Sequence, residues 1–158
     1  MISVPRPSLL DTLKAEREAT SRFVDLLRRE QQVLTGGSVD ELEILTPQKV
    51  RLANELAAYV RTRRECLLAL GHTPDAQGMR TWAAGGDQPD AASLWESLYA
   101  LAGQAKALND TNGALIDMRV RHCERSLAAL NEASGRSALY GRRGETVMAA
   151  PVRTSLRA

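Results

Sequence analysis

Aromatic and β-branched residues are scarce in this chain of 158 residues. Aromatic residues make up 4% of it, and 22 leucines stand against 3 isoleucines and 9 valines. Sheets draw on β-branched and aromatic side chains, whereas leucine, alanine, glutamate and arginine favour helices. The composition therefore argues against a sandwich, a barrel or a doubly wound α/β fold, and it predicts an all-α protein.

Long apolar runs are also missing. No stretch approaches the roughly 20 apolar residues that span a bilayer, and the N-terminal MISVPRPSLLDTLKAERE lacks the apolar core of a signal peptide. Two cysteines, Cys66 and Cys123, are too few for a disulfide framework. We therefore expect a cytoplasmic, reduced protein without stable membrane insertion.

The sequence offers no recognisable catalytic, cofactor or metal motif. His122 and Cys123 are neighbours on a predicted helix, about 100° apart, so they do not face one metal ion together. A Gly-x-Ser-x-Gly elbow is missing, and the Gly-Gly pairs at 36–37 and 85–86 lack the strand and the lysine of a phosphate loop. We predict neither an enzyme nor a cofactor or metal site, and we interpret both cysteines as small core residues.

Positive charge is concentrated near the C-terminus. Residues 134–158 hold five arginines and one glutamate, a net charge of +4, which leaves −2 for the rest of a chain whose total is +2. A net charge of +4 is small for a segment that binds nucleic acid. The arginines within 61–64 have acidic neighbours such as Glu65. We therefore expect no nucleic-acid partner, and we interpret 134–158 as a flexible basic tail.

Leucine spacing predicts about three long helices ahead of this tail, over residues 8–35, 38–70 and 90–133. They are expected to form an elongated antiparallel bundle over residues 1–133. The connection 71–91 is rich in glycine and proline, with room for one short helix.

Capping residues set the predicted helix ends. Ser8 caps the first helix, Ser38 and Glu41 form a capping box for the second, and Gly71 ends the second in the left-handed conformation. Thr46-Pro47 is typical of a further helix start, with proline at the first helical position. We therefore expect a kink or short break near residue 46.

Polar residues interrupt the leucine seam of the last helix at Asn109, Asn112 and Gly113. One interpretation is a buried asparagine that fixes the register of packed helices. The other is that the seam changes partner at this point, from its own bundle to another protein. The spacing alone leaves both open.

Several ordered motifs resemble the FlgN-type flagellar export chaperones. Glu30-Gln31 and Leu34 precede Gly-Gly and the string SVDELEILTPQK over 38–49, and Leu-Asn-Asp-Thr-Asn-Gly-Ala-Leu-Ile over 108–116 matches an Asn-x-x-Asn-Gly signature. Leu-Ala-Ala-Leu over 127–130 and Leu-Tyr-Gly-Arg-Arg-Gly over 139–144 follow in the family's order. The resemblance covers nearly the whole chain.

This resemblance implies a chaperone that hydrolyses nothing and needs no cofactor. Its partners would be the hook–filament junction proteins (flagellar hook-associated proteins), whose C-terminal segments it keeps from premature assembly, and the export-gate protein of the flagellar type III system, to which it delivers them. Carried over from the family, the substrate-protein site maps to Leu115, Ile116, Val120, Leu127 and Leu130. The gate contact maps to Leu139, Tyr140 and Gly141.

Two rival interpretations rest on the residues themselves. A leucine seam also suits a structural coiled-coil protein that homo-oligomerises. The arginines, in turn, are compatible with a regulatory binding module.

Overall fold

The computed structural model describes the backbone of residues 8–139 and the side chains of residues 8–135. Four helices and no strand occur in this part of the chain: α1 Leu9–Gly36, α2 Val39–Ala69, α3 Ala76–Ala84 and α4 Ala91–Leu139. The all-α prediction is confirmed, with three long helices and a short fourth one in the connection 71–91. The chain divides between Ile116 and Asp117 into two compact units.

Helix α1 is central to the first unit. Ser8 caps it as predicted, because its hydroxyl oxygen accepts a hydrogen bond from the amide of Asp11 at 3.1 Å. Twelve of its side chains are buried, which is more than a helix buries when it packs against one neighbour on one face. The buried residues are Leu9, Thr12, Leu13, Glu16, Ala19, Thr20, Val24, Leu26, Leu27, Glu30, Val33 and Leu34.

Contacts to α1 give the direction of its neighbours. Glu16 and Glu30 of α1 pair with Arg63 and Lys49 of α2, so residue numbers rise on one helix as they fall on the other. These two helices are antiparallel. Helix α4 runs with α1, since Leu98 packs with Leu9 and Leu13 whereas Ala105 packs with Val24 and Leu27.

Helix α2 is continuous through Pro47, so the alternative of a short break near residue 46 is wrong, whereas the alternative of a kink there stays a prediction. Proline inside a helix removes a hydrogen bond and costs about 3 kcal/mol. Tertiary contacts on both sides of it oppose that cost: Leu45 is buried, and Lys49 forms an ion pair with Glu30 of α1. Thr46, expected as a cap, instead donates its hydroxyl hydrogen to the carbonyl of Leu42 within the helix.

The capping interactions predicted for the two ends of α2 have different outcomes. Ser38 is the N-cap residue, but its side chain forms no capping hydrogen bond. At the other end Gly71 has φ +80°, as expected. The amides of Gly71 and His72 donate to the carbonyls of Leu68 and Leu67, which is a Schellman motif.

Helix α3 gives the connection 71–91 a place in the core. Asp75 caps it by accepting a hydrogen bond from the amide of Gly78 at 2.8 Å. A methyl group on Gly78 would lie 1.8 Å from the carbonyl oxygen of Thr73, so this tight turn requires glycine. Met79 is fully buried and Trp82 packs beside it, so the short helix closes one end of the apolar core.

Helix α4 continues to Leu139, six residues beyond its predicted end at residue 133. Gly135 lies inside it, because a glycine weakens a helix by about 1 kcal/mol without stopping it, and no proline follows before Pro151. The division into residues 1–133 and a flexible tail at 134–158 stays a prediction. Among the described residues, no helix is both long and apolar enough to cross a bilayer.

Candidate partner-binding surface on α4

The first part of α4 packs through a regular seam, which we call the buried seam. It comprises Leu94, Leu98, Leu101, Ala105, Leu108 and Asn112, spaced alternately by four and three residues. Each of these side chains is buried or half-buried. Spacing of this kind keeps one side of a helix facing its neighbours.

The later part of α4 carries a second run of alternate four and three spacing, which we call the exposed seam. It comprises Ile116, Val120, Cys123, Leu127 and Leu130. All five are exposed, with 60% of Leu127 and 64% of Leu130 accessible to solvent. Contiguous apolar side chains on a surface are typical of a protein-interaction site.

The exposed seam contains four of the five residues that the resemblance implied for substrate-protein binding, namely Ile116, Val120, Leu127 and Leu130. Leu115 is half-buried and continues the spacing of the buried seam instead. Cys123 was interpreted as a core thiol, and that interpretation is wrong because its side chain is exposed. Cys66 is half-buried and packs against the apolar core.

The two seams are offset by one residue. If the alternate spacing of three and four residues is continued, the buried seam runs from Asn112 to Leu115 and Arg119, and both of these residues are half-buried. The exposed seam, extended backwards, runs through Gly113 and Asn109, both exposed. The apolar pattern of α4 therefore shifts at Leu115-Ile116, where adjacent apolar residues belong to different seams.

Asn112 ends the buried seam, and its side chain is completely buried. Its amide nitrogen donates to the backbone carbonyl of Leu27 at 2.9 Å and to Oε2 of Glu30 at 2.7 Å. The same carboxylate accepts two hydrogen bonds from Nζ of Lys49, at 2.9 and 3.1 Å. Asn112 therefore connects α4 to α1 directly and to α2 through Glu30.

Both interpretations of the interrupted seam describe part of this arrangement. Asn112 has the burial and the polar partners of a residue that fixes register. Directly after it the apolar pattern shifts onto an exposed face, as a change of partner requires. Asn109 and Gly113 are exposed and take no part in the buried cluster.

Two polar clusters in the first unit were missed by sequence reasoning. Glu16 and Glu30 are both buried acids of α1, paired with Arg63 and Lys49 of α2. A signal for them exists in the sequence, since each acid lies on the apolar stripe, three residues after a leucine. Arg63 was considered only among the arginines within 61–64, yet its side chain is 11% exposed and pairs with Glu16.

The implied gate contact falls at the limit of the structure. Leu139 is the last residue of α4, beyond the described side chains. Tyr140 and Gly141 lie outside the described residues. Their role therefore stays a prediction.

Shifted pKa values in the described residues have local structural causes. The pKa of Asp75 is lowered because the amide of Gly78 and the hydroxyl of Thr73 donate to its carboxylate. The pKa of Lys106 is raised by its hydrogen bond to Asp110 and the charge of that residue. No group of three His, Cys, Asp or Glu side chains suited to a metal ion occurs in the part of the chain that the structure describes.

Comparison with known proteins gives a consistent result. The model of the family described as FlgN protein matches residues 5–147. A curated relative from Proteus mirabilis, Flagella synthesis protein FlgN, is 29% identical over 142 residues, which cover 87% of this chain and 88% of that protein. No solved structure matches significantly.

Proposed function

The chain belongs to the FlgN family, and from that membership we propose that it is a flagellar export chaperone. It binds the C-terminal segments of hook–filament junction proteins through the exposed seam of α4. In the cytoplasm it prevents their premature assembly, and it delivers them to the type III export gate. The observation that carries this proposal is the exposed seam, whose apolar side chains repeat at heptad spacing along α4.

Heptad spacing suits a helical partner segment. An amphipathic helix binds another through apolar anchors at alternate spacings of three and four. The flanks of the exposed seam carry both charges, with Asp117 and Glu124 among Arg119, Arg121 and Arg125. Such flanks keep the surface soluble and leave the apolar anchors to supply affinity.

Replacing Leu127 and Leu130 together by alanine tests this surface. We expect affinity for a junction protein's C-terminal segment to fall at least tenfold, because two exposed apolar anchors are removed. Helix content and melting temperature should stay near wild type, since a leucine that is mainly exposed contributes little to folding. Calorimetric titration and thermal circular dichroism measure the two effects.

The matched control is the double replacement of Leu68 and Leu70 by alanine. Leu68 lies on α2 and Leu70 is the C-cap residue of that helix. Both have more than half of their surface exposed, and neither belongs to the exposed seam. This control should bind the segment like wild type. Equal losses in the two double variants, or wild-type affinity of the α4 variant, would contradict the proposed surface.

A homotypic coiled coil is the second candidate, because the heptad spacing of the exposed seam also fits a second copy of the chain. Sedimentation velocity over a concentration series distinguishes the two functions. A partner-binding chaperone forms a complex with the junction segment. A purely structural protein forms a larger assembly by itself and ignores the segment.

Delivery is proposed to depend on Tyr140 within the Leu-Tyr-Gly motif. Replacing Tyr140 by alanine should lower affinity for the export-gate protein at least tenfold, because an aromatic anchor contributes about 2 kcal/mol or more to a contact. Binding of the junction segment and thermal stability should not change. Calorimetry with the junction protein already bound gives the gate affinity, and filament counts give the effect in cells.

A matched change elsewhere in the tail, Leu156 to alanine, controls for a general effect of lost apolar surface. It should leave gate affinity unchanged. If the Tyr140 variant binds the gate as wild type does, Tyr140 has no part in delivery.

A further inference from the structure

We propose that Asn112, Glu30 and Lys49 form a register lock, which fixes how α4 beyond Leu108 sits against α1 and α2 and so determines that the partner-binding seam begins at Ile116. The lock itself is inferred from the contacts inside the first unit. Its consequence for partner binding rests on the proposed function.

The buried seam sets the register of α4 as far as Leu108, because a shift of one residue would bring Lys106 and Asn109 into it. Beyond Leu108 the apolar pattern is ambiguous at Leu115-Ile116, and this is where a lock at Asn112 acts. Leu115 belongs by spacing to the buried seam, and Ile116 belongs to the exposed seam. A rotation of about 100° of this part of α4, together with an axial shift of about 1.5 Å, moves Ile116 to the place of Leu115. Apolar packing alone distinguishes poorly between a buried leucine and a buried isoleucine at this point.

The hydrogen bonds of Asn112 remove this ambiguity. Its amide group has to reach both the Leu27 carbonyl and the Glu30 carboxylate, and the carboxylate is itself held by Lys49. Neither neighbour on α4 can replace it. Gly113 has no side chain, and the hydroxyl of Thr111 already donates to the carbonyl of Ala107. A shift in either direction therefore leaves a buried carboxylate short of a donor.

Stability is a poor explanation for an asparagine here. Its Oδ1 is buried and accepts no hydrogen bond from the described residues, which is unfavourable for a polar atom. Replacing a buried polar or ionic cluster by apolar residues of similar volume is often neutral or stabilising. A role in specifying one arrangement, which is the best-attested use of a buried asparagine between helices, accounts for it better.

The experiment replaces the whole lock by apolar side chains, in the triple variant Glu30→Met, Lys49→Met and Asn112→Leu of the full chain. Asn112→Leu alone is measured beside it, because that variant keeps the Glu30–Lys49 pair intact and so avoids a buried unpaired charge. Amide hydrogen exchange followed by mass spectrometry reports where protection along α4 ends. Titration with a junction protein's C-terminal segment reports binding.

In the wild type, slow exchange should end within about one turn after Asn112. In both variants we expect this boundary to blur or move past Ile116, with the melting temperature of the triple variant retained. The apparent affinity for the junction segment is proportional to the fraction of molecules in the binding-competent register. If only a tenth of the molecules have that register, the apparent affinity falls tenfold. A merely structural role predicts that a variant with wild-type stability also binds as wild type does.

Two results separate the lock from the proposed function. An unchanged exchange boundary in both folded variants overturns the lock, whatever the binding data show. If the wild type itself fails to bind the segment, the proposed function is wrong, and a boundary that moves in the variants still supports the lock.

Discussion

Replacing Glu16 by leucine is expected to lower the free energy of unfolding by about 3–5 kcal/mol, because it leaves a buried guanidinium without its counter-charge. The side chains of Glu16 and Arg63 are 5% and 11% exposed. Two hydrogen bonds join them, Nε to Oε2 at 2.7 Å and Nη2 to Oε1 at 3.3 Å. Arg63 also lies over the ring of Trp95, 5.2 Å from its centroid. It therefore cannot turn to solvent without losing contacts in α1 and α4 at once.

Removing both charges should restore most of the loss. In the double variant with Glu16→Leu and Arg63→Met, the arginine is replaced by an unbranched apolar chain that still covers Trp95, and no charge stays buried. Urea denaturation of the wild type, the two single variants and the double variant gives the coupling energy between the two positions. We expect the double variant to be more stable than Glu16→Leu alone.

The control is an exposed ion pair. Lys106 and Asp110 are 79% and 62% exposed on the surface of α4, and such pairs contribute little in solvent. Asp110→Asn should therefore change the unfolding free energy by less than about 0.5 kcal/mol. If Glu16→Leu changes the unfolding free energy equally little, the Arg63 guanidinium is hydrated in solution, and the ion pair does not contribute to the stability of the core.

The helices themselves were largely predictable because their signals are local. The side chain of Ser8 and the left-handed conformation of Gly71 act within one turn of the chain, and both were predicted correctly. Pro47 was misread because the contacts that keep α2 continuous across it involve α1, which is distant in sequence. The end of α4 was placed too early because Gly135 is compatible with a helix interior.

The residues of the candidate site were carried over from the family resemblance, and their role stays a prediction. Leucine spacing alone continued one stripe along α4, and it did not separate Leu115 from Ile116, which differ in exposure. That distinction depends on hydrogen bonds between Asn112 and two residues of α1, and no local pattern encodes them. Cys123 was assigned to the core because cysteines are commonly buried, a tendency that carries no information about an interaction face.

The second large effect is expected at Leu67, where all four helices meet. Its side chain is fully buried among Leu9 and Leu13 of α1, Met79 of α3 and Leu98 of α4. Replacement by alanine leaves a cavity that cannot collapse without moving several helices together. We expect a loss of about 2–5 kcal/mol in the free energy of unfolding, measured by urea denaturation.

The adjacent residue supplies a matched control for Leu67. Leu68 is 59% exposed on the same helix, so Leu68→Ala should change stability by no more than about 0.5 kcal/mol. Affinity for the junction segment distinguishes an effect on the core from an effect on the exposed seam, because Leu67 lies in the apolar core and is not one of the seam residues. At a temperature where both variants are folded, each should therefore bind the junction segment with wild-type affinity. A folded Leu67→Ala protein that fails to bind would mean that partner binding depends on the packing of the core and not on the exposed seam alone.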